Sequence, residues 1–501
     1  MKDMNRARAS KEGVGEAHDG RTPASNAYSF FQPINALFLV AGAAYLAVFA
    51  YSSWGASILA PYSDMIDLID DYFRAVDLGR PFEYLLDPHN LHRIPWLRGL
   101  IALDIGVFRG TGLPSVVVAA ICLAGTACML MLEVRRVAGA LAFPLLTLTA
   151  MLVLLTANAA GVSVPANSPH LHTTFFAVLS LVAAASGGEQ SGSWPRWAAA
   201  ITCATLASFS LATGLVLWPI LVLMAWRSQT SWWATVSLAA AAGAFCLAYL
   251  AGQSVSAPLQ QGLDPKGLLK AAEYFLAYLG LPWVRGSRLF GEILGAGILV
   301  ASLFALIRFG FAKVDRTQRL ALGMILFSLG GAALAAIGRR DIAQEVDVPV
   351  RYAILLAPLH VGLLLLAASA IVRAWKSKPR FVSAGLMAAL ALMMAQQVVV
   401  GVVVVRAAER ARQTIALYHQ GGRTPEMLQW VYPDLAIAET VYAEMRRRGV
   451  FLQWIGGSAN SARLEPVANS TSPRTTNPPS NTNGPSVSPD LSKHFGEASW
   501  P

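Results

Sequence analysis

Long apolar runs separated by short polar loops dominate the chain from residue 34 to residue 405. A helix needs about 20 apolar residues to cross ~30 Å of hydrocarbon. On that measure the pattern predicts eleven spans, near 34–53, 114–132, 138–156, 172–187, 197–210, 213–226, 232–252, 289–308, 319–337, 353–373 and 380–405. The stretches 197–210 and 213–226 are too short to cross untilted, so they read either as one long span or as a re-entrant hairpin. Residues 63–77 show a different periodicity. Asp64, Asp67, Asp71 and Arg74 fall on one helical face, with Ile66, Ile69, Phe73 and Val76 opposite. This predicts an amphipathic helix lying on the membrane surface with its apolar side down. Further amphipathic segments are expected around Leu268 to Leu281 and Pro433 to Arg448, and a helix from Arg406 to Tyr418.

The flanking regions differ in composition. Residues 1–33 form a polar leader expected to be disordered and cytoplasmic, 34–405 the membrane domain, 406–456 a short extracytoplasmic helical segment, and 457–501 a disordered Ser/Thr/Asn/Pro tail. No cleavable signal precedes the first span.

Composition supports the same class. The 501 residues are 55% hydrophobic and 14% charged, with a mean hydropathy of +0.49. The expectation is an all-α polytopic membrane protein. Basic clusters fall in alternate loops: Arg135-Arg136; Arg308, Lys313, Arg316 and Arg319; and Arg373, Lys376, Lys378 and Arg380. This asymmetry puts those loops and the N-terminus in the cytoplasm and the C-terminus outside. The net charge of +10 is then mainly a topological signal and does not call for nucleic acid. Cys122, Cys128, Cys203 and Cys246 all lie within predicted spans, which argues against a disulfide framework or thiolate metal site.

The chemistry concentrates in the outer loops. The first reads Tyr62-Ser63-Asp64-Met65-Ile66-Asp67-Leu68-Ile69-Asp70-Asp71-Tyr72-Phe73-Arg74, followed by Asp87-Pro88-His89-Asn90-Leu91-His92-Arg93-Ile94-Pro95. The carboxylates are either a solvated helix face, a general base, or ligands for a divalent cation such as Mg²⁺ or Mn²⁺. Pro88 and Pro95 favour a turn for the segment between them. His89 and His92 suit zinc only with a third ligand such as His170 or His172, and a phosphate contact through His92 or Arg93 is favoured over a metal. A second charged loop, Gly338-Arg339-Arg340-Asp341 to Arg351-Tyr352, carries arginines against the positive-inside trend, which points to an anionic ligand or to snorkelling. Glu292 and His360 lie within spans, where ionisable groups are functional suspects.

These motifs resemble the GT-C superfamily of integral membrane glycosyltransferases. The residues that carry the resemblance are Ser63-Asp64, His89-Asn90-Leu91-His92-Arg93, Asp104, Gly338-Arg339 with Arg351-Tyr352, and Ala212-Thr213-Gly214-Leu215 with Trp218-Pro219. Leu91 stands where a glutamate is usual, and Thr213 where an asparagine is usual. The resemblance implies a GT-C-like membrane domain in a bacterial inner membrane. It also implies transfer of a sugar from a polyprenyl-phosphate donor to an envelope glycan or lipid on the outer face. Its catalytic aspartate carries over to Asp64, with Asp67 as second choice. The donor phosphate would fall to Arg93, Arg340, Arg351 or His92, with Asp71, His89 and Tyr352 in support. No metal ligand set is assigned, and dependence on a divalent cation stays open. A transporter or flippase for an anionic lipid, and a non-catalytic assembly factor for envelope polysaccharide, are the competing expectations; a transporter should show broken helices in both halves.

Overall fold

The computed structural model describes residues 24–89, 92–187, 194–228, 230–251, 265–283, 287–310, 313–339, 348–419, 432 and 434–454. In chain order the elements are α1 (Ala24–Gly55), α2 (Asp64–Asp77), α3 (Pro81–Leu86), β1 (Pro88–His89), β2 (His92–Arg93), α4 (Pro95–Phe108), α5 (Leu113–Ala138), α6 (Ala142–Val153), α7 (Ala159–Ser163), α8 (Pro169–Gly187), α9 (Trp194–Ser210), α10 (Leu217–Arg227), α11 (Trp232–Leu250), α12 (Pro265–Gly280), α13 (Arg288–Gly310), α14 (Arg316–Gly338), α15 (Ala357–Ser377), α16 (Pro379–His419) and α17 (Leu435–Arg448). Among the described residues nine stretches are long and apolar enough to cross a membrane, and Ala212–Arg227 is a shorter apolar helix. The chain is an all-α polytopic membrane protein. Among the described residues, its one strand pair is the two-residue antiparallel hairpin β1–β2.

Alternate connections gather at opposite ends of the bundle. At one end Glu133 is almost fully buried and accepts two bonds from Arg316, at 2.6 and 2.9 Å, and one from Arg136 at 2.7 Å. Arg316 Nε also donates to Ser186 Oγ, and Arg319 to Ser228 Oγ, both at 2.8 Å. Breaking such a buried ion network costs about 3–5 kcal/mol, because the remaining charge loses its compensation. The other end holds α2 to α4, the C-terminal ends of α1, α7, α9, α11 and α14, and α17. Ile58 N–H donates to Ser163 O, and Ser163 Oγ to Ser53 O, tying the ends of α1 and α7 together.

Two departures from regular helix matter. The span from Ala142 to Ser163 breaks between α6 and α7. Backbone groups freed inside a bilayer need protein partners. Tyr45 Oη donates to Leu154 O at 2.6 Å, and Thr156 N–H donates to Gln397 Oε1 at 2.8 Å. The second departure is the 3₁₀ turn Ala212–Val216 between α9 and α10. There Gly214 lies against the Ala207 and Ser208 backbone so closely that a Cβ would sit 2.3 Å from it. Trp218 Nε1 donates to Ser208 Oγ across the same turn. The Ala212 to Pro219 signature is therefore a helix-reversal device.

The C-terminal part differs from its expected layout. The helix expected from Arg406 to Tyr418 is the continuation of the 41-residue α16. The expected amphipathic segments near Leu268 and Pro433 are α12 and α17. The leader up to residue 23 and the tail from residue 455 lie outside the described residues.

Candidate functional site

Ser63, with φ 50°, is the N-cap of α2, whose first turn carries Asp64 and Asp67, where carboxylates balance the positive end of the helix dipole. Its apolar face is covered by protein except at Val76, which is exposed. Met65, Ile66, Leu68, Ile69 and Phe73 are buried with Ile94, the N-cap of α4, Leu97 and Ile101 of that helix, Val400 and Val404 of α16, and Val441 and Met445 of α17. This corrects the surface-lying helix expected from periodicity, which identifies an apolar face but not its cover.

The repulsion among the α2 carboxylates is relieved unevenly. Asp70 pairs with Arg74 one turn on. Asp71 receives Arg98 Nη2 at 2.9 Å, and Asp77 receives Arg448 Nη2 at 2.5 Å. Asp64 and Asp67 have no cationic partner in a salt bridge among the described residues. Asp64 is exposed. Asp67 is half-buried, and the Tyr432 hydroxyl donates to its Oδ1. Burial raises the proton affinity of Asp67, opposed by the Tyr432 bond and by His89, and reinforced by Asp64 and Asp71.

The segment between Pro88 and Pro95 forms the expected turn, with His89 opposite His92 and Pro88 opposite Arg93. Arg93 is committed to framework contacts. Its Nε donates to Tyr249 O at 3.0 Å, Nη1 to Leu86 O at 2.7 Å and Nη2 to Ala251 O at 2.6 Å. The guanidinium thus ties the carbonyl end of α11 to the hairpin. His92 Nδ1 is buried without a partner, and desolvation, aided by His89 and Arg339, pushes the ring down to about 4, so it is neutral at pH 7. Asp104, one of the residues behind the family resemblance, accepts from Gly112 N–H at 2.9 Å and Thr111 Oγ1 at 3.1 Å, closing the α4–α5 turn.

A cationic, aromatic group faces this loop from the rest of the bundle. The guanidinium carbons of Arg339 and Arg351 lie 5.1 and 5.7 Å from the Tyr352 ring centre. The His170 ring lies 4.8 Å from the same ring, and Tyr278 Oη donates to Tyr352 O at 3.3 Å. Neither arginine has a carboxylate partner among the described residues. Tyr62 joins the two halves: its buried hydroxyl is raised by desolvation, lowered by Arg351 and raised again by Asp64.

The structure therefore brings Asp64, Asp67, His89, His92, Arg351 and Tyr352 to one end of the bundle. Asp71 belongs to the Arg98 pair, and Arg340 lies outside the described residues. Arg339, His170, Tyr62 and Tyr432 are the additions. The Gly-Arg motif pointed to the first; nothing in sequence spacing pointed to Tyr432. His360 is accounted for structurally, because Trp283 Nε1 donates to Nε2 at 2.7 Å and Nδ1 bonds Leu356 O at 2.8 Å. Glu292 pairs with Arg288 at 2.8 Å. Among the described residues no three His, Cys, Asp or Glu side chains gather as a metal site.

Comparisons with protein-family models, curated proteins and solved structures return no match for this chain.

Proposed function

We propose that this chain is a GT-C-like membrane glycosyltransferase, moving a sugar from a polyprenyl-phosphate donor to an envelope glycan or lipid acceptor. The observation that carries this reading is the placement of Asp64 and Arg351 about the buried Tyr62 hydroxyl, with Asp67 one turn along α2 and Arg339 beside Arg351 on the Tyr352 ring. Among the described residues neither aspartate has a salt-bridge partner and neither arginine a carboxylate. An anionic leaving group and a hydroxyl nucleophile supply what each half lacks. Half-buried Asp67, with its raised proton affinity and fixed Oδ1, is better suited as base than exposed Asp64. Asp67 takes the acceptor hydroxyl proton as the acceptor oxygen bonds to the anomeric carbon. The glycosyl–phosphate bond breaks, and its electron pair leaves with the lipid phosphate. Arg351 and Arg339 stabilise that growing charge. Arg93 acts indirectly, by holding the hairpin that carries His89 and His92. In this reading there are eleven crossings, α9 and α10 included, and the site opens on the outer face of a bacterial inner membrane.

The test compares wild type, Asp67→Asn, Asp64→Asn and Arg351→Ala in a strain lacking the gene, with envelope glycans and glycolipids read by mass spectrometry. One sugar should vanish in the deletion, return with wild type, and fail to return with Asp67→Asn or Arg351→Ala. An unchanged profile in the deletion would end the proposal. One observation favours transport of an anionic lipid as the second reading. The broken span at Leu154 to Asn158, closed by Tyr45 and Gln397, resembles the interrupted helices on which transporters build binding sites. Under that reading the variants change lipid distribution between leaflets and leave the glycans intact.

A further inference from the structure

The described residues on either side of Tyr432 are anchored to the rest of the fold. Near the end of α16, Arg412 Nη1 donates to Gly55 O at 2.8 Å and Ser57 O at 2.9 Å. Beyond the connection, Asp434 caps α17 by accepting from Ala436 N–H at 2.9 Å. Helix α17 then lies over α2. Its buried Tyr442 donates to Pro61 O at 2.7 Å, and Arg448 stacks 4.6 Å over the Phe73 ring. Past the helix, Phe451 N–H donates to Arg109 O at 2.9 Å and Gln453 Nε2 to Gly110 O at 3.0 Å. Tyr432 sits between these anchors, partly buried, with its hydroxyl on Asp67 Oδ1.

We propose that Tyr432 is a positioning residue of the site: it holds Asp67 by one oxygen and leaves Oδ2 to accept the proton of the acceptor hydroxyl. The proposal rests on the glycosyl-transfer reading above. A phenol suits the task where an arginine would not. An arginine would hold the carboxylate equally well, but its positive charge would strongly lower the basicity the reaction needs. A neutral hydroxyl fixes orientation while burial keeps the proton affinity raised. The groups facing Asp67 are Tyr432 from the arm, His89 from the hairpin, and Asp64 and Asp71 from α2; Asp434 lies near enough to act on Tyr432.

The experiment uses the full purified chain in detergent, with a water-soluble carbodiimide and an amine nucleophile, which modify protonated carboxyl groups. Modification of Asp67 and Asp71 is mapped by mass spectrometry from pH 4 to pH 8, in wild type and in Tyr432→Phe. The variant removes a bond to the charged form, so the Asp67 midpoint should rise by about one pH unit. Asp71, held by Arg98, should not move. An unmoved Asp67 midpoint overturns the proposal. So does an equal shift at Asp71, which would mean that the variant only loosens α2. No sugar donor enters this measurement, so an unchanged glycan profile in the deletion strain would fail the glycosyl-transfer reading separately from the Tyr432 contact.

Discussion

The Arg98–Asp71 pair predicts an unequal cost for removing its two members. Arg98 is fully buried, whereas the Asp71 side chain is 40% exposed. Arg98 Nη1 also donates to Tyr84 O at 2.7 Å, and its guanidinium stacks 4.6 Å over the Tyr84 ring. Arg98→Met removes the buried charge itself. Asp71 then turns to water, and the main loss is the Tyr84 carbonyl bond, worth about 1–3 kcal/mol when left unmade. Methionine recovers part of this by packing. Asp71→Ala leaves the guanidinium buried with only a carbonyl and a ring for compensation, and should cost about 3–5 kcal/mol. Removing the more exposed partner should therefore do more damage. Buried Cys122 and Cys203 are suitable reporters, and Cys128, exposed on the outer surface of α5, sets the baseline. A thiol-reactive fluorophore followed during heating in detergent should give the order wild type, Arg98→Met, Asp71→Ala. The double variant should lie close to Arg98→Met, since the stranded charge is gone. If Arg98→Met proved equal to or worse than Asp71→Ala, the desolvation argument would be wrong.

Other consequences are as direct. Gly214→Ala should sharply reduce folded yield by size exclusion, by at least about 1–3 kcal/mol, because its Cβ has no space beside Ala207 and Ser208; Gly99→Ala meets nothing within 4 Å and should be neutral or better. Gln397→Leu strands the Thr156 N–H inside the broken span, so thermal unfolding should come earlier by about 1–3 kcal/mol of stability. Folded His92 titrates near 4 against an ordinary 6.5, so its contribution is intact above pH 6.5 and is lost as pH falls toward 4. The slope is at most about 1.4 kcal/mol per pH unit, and His92→Phe should flatten the acid side of a melting-temperature profile. Asp67 has the opposite sign: its raised folded value favours the protonated native state, so acidification below its folded pKa stabilises.

What sequence patterning reveals here is one-dimensional. Apolar runs locate the membrane-crossing helices because the bilayer imposes a length, and two prolines suffice to place the hairpin. Periodicity finds the apolar face of α2 through Ile66, Ile69 and Phe73. It cannot find Val441 and Met445, which arrive to cover that face from nearly 400 residues away. The same limit governs the charges. A local cluster of aspartates shows that repulsion must be relieved. Only the folded chain shows Arg98 and Arg448 doing so for Asp71 and Asp77 while Asp64 and Asp67 are left for other partners. Arg93 attracts a phosphate role because guanidinium groups fit phosphates, but carbonyl oxygens at a helix end fit them as well. Tyr432 has no local signal at all, since a lone tyrosine in a connecting loop is indistinguishable from any other.

The placement of α17 over α2 also sets a schedule for biogenesis. The α2 segment is made early, yet part of the cover of its apolar face, added to that of Leu97 and Ile101 in α4, lies between Val400 and Phe451. Until those residues are synthesised, Ile66, Ile69 and Phe73 are only partly covered and stay available to chaperones or to wrong partners. Asp67 meets Tyr432 only after nearly the whole polypeptide has emerged. A chain truncated before Tyr432 therefore lacks both the Asp67 contact and the α17 cover of α2, so the packing of this early helix waits on residues near the far end of the described fold.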